Sequence, residues 1–478
     1  MDKKVVKNYL YNLSYQLLLI ILPIITTPYV SRVLGAKGIG TYGYTNSITQ
    51  YFILFGCIGL NLYGQREIAY YQKDIEKRSK VFFELLLLRM ITVSISIILY
   101  YFTFCQNAIY GYIFSIQIID VVASMVDISW LYQGMEDFKK IVIRNTLVKI
   151  CGLIIIFMFV KSPEDLPIYV LSYSATLLLG NLSMWMYLPK FVKRVSLNQL
   201  DIRKHIRPTI VLFLPQIATS IYTTLDKTMI GALTQSTAEV GYYEQSQKII
   251  RMAMTLATSL GTVMLPRVAN LFKEGKLNEV KESMYSSFKF ISFLTFPLCL
   301  GLIGISKGFV PWFFGDGYGK VIYNMMIISP IIIFIGYSNV IGTQFLLPTG
   351  RQKEYTLSVC TGTVVNLCFN FLLIPHFLSY GAAIATVIAE FSVTLVQVLL
   401  TRKIFIFKHI LKLVYKYIIA ALIMFLGILI LSNILSISIL NTFIEVFLGS
   451  IIYFFILIIL KDKTVGSFLY KIIKKVNL

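Results

Sequence analysis

The sequence has few charged residues. Asp, Glu, Lys and Arg make up 14% of its 478 residues, whereas hydrophobic residues make up 57% and the mean hydropathy is +0.74. About a quarter of the residues in a soluble globular domain are charged, so this composition excludes that class. Long apolar runs separated by short polar stretches predict an all-α integral membrane protein.

Cysteine and histidine are also scarce. The six cysteines lie singly in apolar runs without a Cys-x-x-Cys pair, and His205, His376 and His409 stand near the ends of predicted spans. This spacing excludes a disulfide framework and gives no cluster for a metal site. We expect no metal and no cofactor, apart from a coupling H⁺ or Na⁺.

Fourteen segments are long and apolar enough to cross a membrane. They lie roughly at 9–31, 39–64, 81–104, 108–132, 143–161, 167–188, 208–232, 240–266, 287–306, 320–347, 354–375, 380–400, 413–432 and 441–460. Most of the 44 Lys and Arg residues fall in loops on one side, which predicts that both termini are cytoplasmic. The net charge of +21 therefore reflects topology, and no nucleic-acid partner is expected. Three charged cytoplasmic loops are predicted at 65–80, 189–207 and 267–286.

Two halves of the chain begin alike. Ile39-Gly40-Thr41-Tyr42 and Val240-Gly241-Tyr242-Tyr243 each lie nine residues before an isoleucine, about 200 residues apart. This match predicts a parallel repeat, which transporters use to form a substrate path between halves. We predict an N-terminal lobe at 1–195 with six spans and a C-terminal lobe at 196–404 with six more. Two additional spans and a basic tail would occupy 405–478.

One predicted span, from Gly241 to Arg267, combines apolar residues with a polar stripe. The stripe consists of Glu244, Gln247, Lys248, Arg251, Thr255, Thr258, Ser259 and Thr262. Steps of three and four residues place these side chains on one helix face. Arg251 would lie about 15 Å from Gly241 along the helix, near the middle of an apolar layer about 30 Å thick. A lipid-facing charge there costs at least about 2.5–3.5 kcal/mol, so we expect the stripe to line a polar path.

Other polar side chains are candidates for the same path. Guanidinium and ammonium groups suit pyrophosphate, and amides suit sugars. The cationic candidates are Arg251, Lys248 and Lys227, followed by Arg32, Arg89 and Lys149; the amide candidates are Gln247, Asn46, Gln50 and Asn61. For Arg89, Lys149, Asp120 and Asp127 the alternative is a structural ion pair between helices. Candidate carriers of a coupling ion are Glu244, Asp226 and Glu390.

An ordered set of short stretches resembles the polysaccharide flippases (Wzx type) of the multidrug/oligosaccharidyl-lipid/polysaccharide exporter superfamily. The stretches are Arg32–Gly35, Gly40–Tyr42, Gly59–Ala69, Trp130–Gly134, Glu136, Leu225–Gly231, Val240–Tyr243, Gln344, Gly350–Arg351, Asn366, Asn370, Ile374–Pro375, Gly381–Ala383 and Glu390. The resemblance covers essentially the whole chain. It implies two six-helix lobes around a central cavity, with two added helices, working by alternating access.

The resemblance also implies a substrate. This would be an undecaprenyl-pyrophosphate-linked oligosaccharide, moved to the outer leaflet of the bacterial cytoplasmic membrane for capsule, O-antigen or other surface polysaccharide. The protein would act as a monomer, contacting a polymerase and other export proteins. Alternatives within the superfamily are a lipid II flippase, in which Arg32 would match a basic residue of the first helix, and a cation-coupled drug exporter. A membrane glycan polymerase or glycosyltransferase is the alternative from another class, although the sequence has no large outer loop.

Overall fold

The structure, a computed structural model, describes residues 3–462. Side chains are described from residue 21 onward, except those at 197, 214–215, 218–219, 221–222, 256–257, 259–263 and 266. Ser259 and Thr262 of the predicted stripe therefore lie outside the described side chains, as does most of the predicted basic tail. Within the described range the chain is helical and contains no strand, which confirms the all-α class.

The chain forms two compact units, Met1–Gly241 and Tyr242–Leu478. The helices of the first unit are α1 (Lys3–Cys57), α2 (Leu60–Tyr70), α3 (Ile75–Tyr100), α4 (Gly111–Met125), α5 (Ser129–Gly134), α6 (Phe138–Phe159), α7 (Leu166–Ser183) and α8 (Arg203–Thr234). Helix α1 contains two helical segments joined at Gly35, where φ is 65°. Because L-residues with a side chain rarely adopt that conformation, Gly35 permits the break between the first two predicted spans.

Helix α9 (Thr237–Lys273) begins at the end of the first unit, and the remaining helices belong to the second. These are α10 (Leu277–Phe314), α11 (Gly319–Ile328), α12 (Ile331–Ser338), α13 (Gln352–Phe377), α14 (Ser379–Thr401), α15 (Phe407–Ile434) and α16 (Ile439–Ile459). A π-helical segment, Asn339–Leu346, continues α12. The two compact units meet at Gly241, whereas the predicted lobe limits are 195 and 404. Those limits remain predictions.

Ten helical segments in the described range are long and apolar enough to cross a membrane. Helices α1, α8 and α9, which contain predicted spans, are not among the ten, so the count of fourteen and the repeat remain predictions. The predicted loop at 267–286 is wrong as a loop, because α9 ends only at Lys273 and α10 begins at Leu277. Hydropathy locates the apolar part of a helix only. A helix can continue into polar sequence beyond that part, so hydropathy places its end too early.

The predicted loop at 65–80 is also largely helical, since α2 ends at Tyr70 and α3 begins at Ile75. Asp74 caps α3 by accepting hydrogen bonds from the backbone N–H groups of Glu76 and Lys77. Trp130 of α5 stacks on Phe82 of α3, with ring centroids 5.4 Å apart, and both side chains are buried. This aromatic pair fixes the core of the first unit at that end of the helices.

A buried carboxylate joins α3 to the start of α8. Glu84 is fully buried and accepts hydrogen bonds from the backbone N–H of Asp201 at 2.9 Å and from Lys204 Nζ at 3.0 Å. His205 Nε2 lies 2.9 Å from its other oxygen, and His205 Nδ1 lies 2.8 Å from the Tyr63 hydroxyl of α2. The segment that leads into α8 is thus fastened to α2 and α3 by groups far apart in sequence.

The two final helices pack on α10. Tyr453 of α16 donates a hydrogen bond to the Phe293 carbonyl at 2.9 Å, and Trp312 donates to Thr442 Oγ1 at 2.8 Å. Asp462 accepts from the Tyr417 hydroxyl at 3.1 Å. It also forms an ion pair with Lys289 at 3.7 Å. These contacts hold α15 and α16 against the second unit.

Candidate substrate site

A polar cavity of about 370 Å³ lies among α1, α4, α6 and α7 of the first unit. Both segments of α1 contribute to it, with Thr26 before the break at Gly35 and Asn46 after it. Three of the predicted site residues, Asn46, Gln50 and Lys149, are brought together in its wall. The polar side chains of this wall favour an occupant that can form hydrogen bonds, because polar groups are costly to bury without partners.

Lys149 of α6 and Asp120 of α4 are the charged residues among the described side chains that line this cavity. Asp120 is 8% exposed. In the described part of the chain, no carboxylate lies within 4.0 Å of Lys149 Nζ, so the two side chains do not neutralise each other as an ion pair. The cavity therefore offers one cationic donor and one acidic acceptor at separate positions.

Amides supply the other directed groups of the wall. Gln50 Nε2 donates to Asn46 Oδ1 at 3.1 Å, which leaves the Asn46 NH₂ group and the Gln50 carbonyl oxygen for another partner. Asn145 Oδ1 accepts from Arg144 Nε at 3.0 Å and from Arg144 Nη2 at 2.6 Å. The Asn145 NH₂ group is thereby left as a donor. The wall therefore contains both donors and acceptors, which a polyhydroxylated ligand can use.

Arg144 is held by a network behind the cavity. Its Nη1 donates to Asn181 Oδ1 at 2.8 Å and to Ser129 Oγ at 2.9 Å, and lies 3.5 Å from Asp127 Oδ1. Asp127 therefore takes part in a structural ion pair. Because Arg144 also holds the oxygen of Asn145, the network orients an amide of the cavity wall.

Tyrosine rings form one side of the cavity. Tyr42 of α1 and Tyr173 of α7 both line it, with ring centroids 6.0 Å apart and planes inclined by 19°. Tyr169 packs against both rings in T-shaped geometry, with centroids 5.3 Å from Tyr42 and 5.1 Å from Tyr173. The packed rings give a rigid amphipathic surface beside the amides.

The predicted stripe on α9 has an internal order. Arg251 is exposed, and its Nε donates to Gln247 Oε1 at 2.9 Å. Gln247 Nε2 in turn lies 2.6 Å from the Tyr243 hydroxyl, which lies 2.8 Å from Thr386 Oγ1 of α14. Successive turns of one helix thus hold the Arg251 guanidinium, and α14 anchors the series. These residues belong to the second unit, whereas the cavity belongs to the first.

Arg89 and Asn61 lie together but do not line the cavity. Arg89 is 1% exposed and donates to the Ser124 carbonyl at 2.7 Å, to Asn61 Oδ1 at 2.9 Å and to Cys57 Sγ at 3.4 Å. These contacts join α3 to α1, α2 and α4. The geometry is that of a packing contact between helices.

The other predicted site residues are distributed over several helices. Arg32 is exposed on α1, and Lys227 and Lys248 are half-buried on α8 and α9. Among the predicted carriers of a coupling ion, Asp226 is 4% exposed and Glu390 is 7% exposed, whereas Glu244 is half-buried. Each of these six side chains has an interaction within the protein. Their roles remain predictions.

Sequence reasoning missed Asn145, Tyr173 and Thr176 as site residues. On α6 a signal was available, because Asn145, Lys149 and Gly152 follow one another at helical spacing and all line the cavity. Tyr173 and Thr176 lie in a strongly apolar helix, where their spacing alone does not separate them from packing residues.

The two Gly-containing stretches from which the repeat is predicted meet in the first unit. A side chain at Gly40 would overlap the Thr237 carbonyl oxygen, and one at Gly241 would overlap the Ala36 carbonyl oxygen. Thr41 Oγ1 lies 3.1 Å from Thr237 Oγ1 beside this contact. Small residues permit such close helix packing inside membranes.

Comparison with known proteins identifies relatives of this chain. Residues 5–272 match the family described as polysaccharide biosynthesis protein. A putative O-antigen transporter of Escherichia coli K12 is 24% identical over 392 residues, covering 80% of this chain and 93% of that protein. A Staphylococcus aureus protein named capsular polysaccharide biosynthesis protein CapF is 22% identical over 273 residues, covering 55% and 66%.

Solved structures show the same fold. The lipid II flippase MurJ in an inward closed conformation aligns with a TM-score of 0.77 over 95% of this chain and 99% of that one, at 16% identity. An inward-facing multidrug transporter of the MATE family aligns with a TM-score of 0.64 over 84% and 98%, at 13% identity. The comparisons confirm the predicted resemblance and the multi-pass membrane character.

Proposed function

Because the chain belongs to the polysaccharide biosynthesis protein family, and its relatives are transporters and flippases, we propose that it moves undecaprenyl-pyrophosphate-linked oligosaccharides to the outer leaflet of the bacterial cytoplasmic membrane. The observation that carries this proposal is the polar cavity among membrane helices, with directed amides, one Lys and one Asp. Such a cavity receives a hydrophilic head group while the lipid chain stays in the bilayer. No covalent chemistry is required.

The stripe on α9 attracts the pyrophosphate in this proposal. The Arg251 guanidinium is exposed and held in orientation by Gln247, and such groups pair with phosphate oxygens in two parallel hydrogen bonds. Lys248 and Lys227 add positive charge. Replacing Arg251 by Ala abolishes glycan export while membrane insertion continues; unchanged export would remove Arg251 from the mechanism.

Alternating access supplies the movement. The close contact of Gly40 with Thr237, at the ends of spans that the positive-inside rule places on the outer side, serves as an outer closure in this proposal. Opening requires this contact to separate. In this proposal one of three carboxylates, Asp226, Glu244 or Glu390, couples opening to the binding of H⁺ or Na⁺. An imposed gradient of that ion then changes the transport rate. Replacing the responsible carboxylate by its amide makes the rate independent of the gradient.

Reconstituted vesicles test the proposal. Purified protein is placed in liposomes with fluorescent undecaprenyl-pyrophosphate-linked N-acetylglucosamine, and the outer label is removed with an impermeant reagent. We expect protein-dependent movement of the label without a change in the length of the glycan. Movement equal to that in protein-free vesicles contradicts a flippase for this lipid, whereas lengthening of the glycan would favour the polymerase alternative. Equal transport of a lipophilic cation would favour the drug exporter.

A further inference from the structure

We propose that the cavity of the first unit is a saccharide subsite, which binds a sugar ring of the substrate and distinguishes glycolipid from bare polyprenyl pyrophosphate. This inference rests on the proposed function and adds where the sugar binds. The pyrophosphate is bound by groups outside this cavity.

The charge balance disfavours pyrophosphate in this cavity. The lining residues carry one formal positive charge on Lys149 and one formal negative charge on the nearly buried Asp120. A pyrophosphate diester carries two negative charges, and the Asp120 carboxylate repels them where burial weakens screening. A neutral or N-acetylated sugar meets no such penalty, since Asp120 accepts from its hydroxyl groups and Lys149 donates to them.

The wall presents both classes of hydrogen-bonding group. Asn46 and Asn145 each retain an NH₂ group as a donor, and Gln50 retains a carbonyl oxygen as an acceptor. A pyranose has hydroxyl groups that donate and accept around its edge, and its ring faces carry C–H groups. The Tyr42 and Tyr173 rings provide the apolar surface on which such a ring face packs.

The size of the cavity limits the occupant. A volume of about 370 Å³ lies near the lower end of the range of about 300–1,000 Å³ for ligand sites. It suits one or two sugar rings and excludes a complete repeat unit with its lipid. A polyprenyl chain is the wrong occupant, because Asp120 and the amides would lose their hydration without gaining partners.

Binding to the full-length protein in nanodiscs tests the inference with three probes. These are undecaprenyl pyrophosphate, and the same lipid bearing one N-acetylglucosamine or one galactose. We expect wild-type protein to bind at least one glycolipid about tenfold more tightly than the bare lipid, as a few good hydrogen bonds provide. In Asn46→Ala and Lys149→Met this advantage falls to within about twofold, while binding of the bare lipid is unchanged.

Matched variants separate binding from folding. Lys139→Met removes an exposed Lys from the same helix, away from the cavity, and keeps the full sugar advantage. Tyr173→Phe keeps the ring and the advantage, whereas Tyr173→Leu loses it. Each variant must elute as a monodisperse species with wild-type thermal stability. Should Lys149→Met fail this test, Asn46→Ala gives the same measurement without a charge change.

Two results overturn the inference. One is equal binding of all three probes by the wild type, and the other is an equal loss of bare-lipid binding in Lys149→Met, which marks a pyrophosphate site. Both leave the proposed function standing if vesicle transport of the glycolipid occurs. The converse result is also possible: vesicles show no transport, yet the protein binds glycolipid more tightly than bare lipid, and this difference depends on Asn46 and Lys149. That result contradicts the proposed flippase function and supports the saccharide subsite.

Discussion

Removing the Glu84 carboxylate should loosen the start of α8 from the rest of the first unit. Glu84 is fully buried, and it pairs with the Asp201 backbone N–H, with Lys204 and with His205. Replacing it by Ala leaves the His205 imidazole buried without that partner, whereas the Asp201 N–H belongs to an exposed residue. A buried polar group that loses its hydrogen-bond partner costs about 1–3 kcal/mol.

The magnitude is set by the buried partners. Lys204 is 45% exposed, so its share is less than about 1 kcal/mol, because water replaces the lost contact. The His205 side chain is only 3% exposed, and its imidazole keeps the Tyr63 hydroxyl as a partner while Nε2 loses Glu84. At about 2–4 °C per kcal/mol for a unit of this size, Glu84→Ala should lower the midpoint of thermal inactivation by about 5 °C.

The assay is the loss of monodisperse detergent-solubilised protein after heating, measured by fluorescence-detected size exclusion. Glu76→Ala, which removes an exposed acid from the same helix, is the control and should shift the midpoint by less than about 2 °C. His205→Ala combined with Glu84→Ala should cost less than the sum of the single changes, since the buried partners are removed together. A Glu84→Ala midpoint equal to that of the control, or strict additivity, would refute the reasoning.

Three further perturbations test other contacts. Arg89→Ala should reduce the yield of folded protein severalfold, since it removes a buried side chain and leaves the Ser124 carbonyl and the Asn61 side chain without their donor; normal yield with lost transport would instead give Arg89 a role in the path. Gln247→Ala should slow glycolipid transport about tenfold, because the Arg251 guanidinium loses the partner that orients it. The effect should be smaller than that of Arg251→Ala, which removes the guanidinium itself. An unchanged rate in the vesicle assay would contradict an orienting role for Gln247. Gly40→Val should open the contact with Thr237, so that a cysteine placed in the Thr41 position reacts faster with an impermeant maleimide; no change in labelling rate would show that the contact is not a closure.

Long apolar segments were predicted well. The prediction at 380–400 corresponds to α14, Ser379–Thr401, and the prediction at 441–460 corresponds to α16, Ile439–Ile459. Hydropathy and length are sufficient there, because each helix ends where the apolar run ends. The same reasoning fails at 267–286, where α9 and α10 extend through polar sequence.

The candidate site was predicted only in part. Asn46, Gln50 and Lys149 stand in the cavity wall, but the association of Lys149 with Asp120 and Tyr173 depends on how α4, α6 and α7 pack. His205 appeared as an isolated histidine, because its partner Glu84 is 121 positions away in the chain. Pairings of this kind arise from tertiary packing, and a single sequence contains no periodic signal for them.

A reversible cross-link across the outer contact tests alternating access most directly. Thr41→Cys and Thr237→Cys are combined in protein whose exposed cysteines, Cys151, Cys360 and Cys368, are replaced by serine. A control pair, Asn324→Cys with Ser379→Cys, joins two buried neighbours of the second unit whose side chains are 3.0 Å apart.

Transport of fluorescent undecaprenyl-pyrophosphate-linked N-acetylglucosamine is measured in the same vesicles before and after reduction. The account predicts that oxidation of the Thr41→Cys/Thr237→Cys double variant stops transport, that reduction restores it, and that the control pair transports in both states. Undiminished transport with the outer contact fully cross-linked would contradict the account.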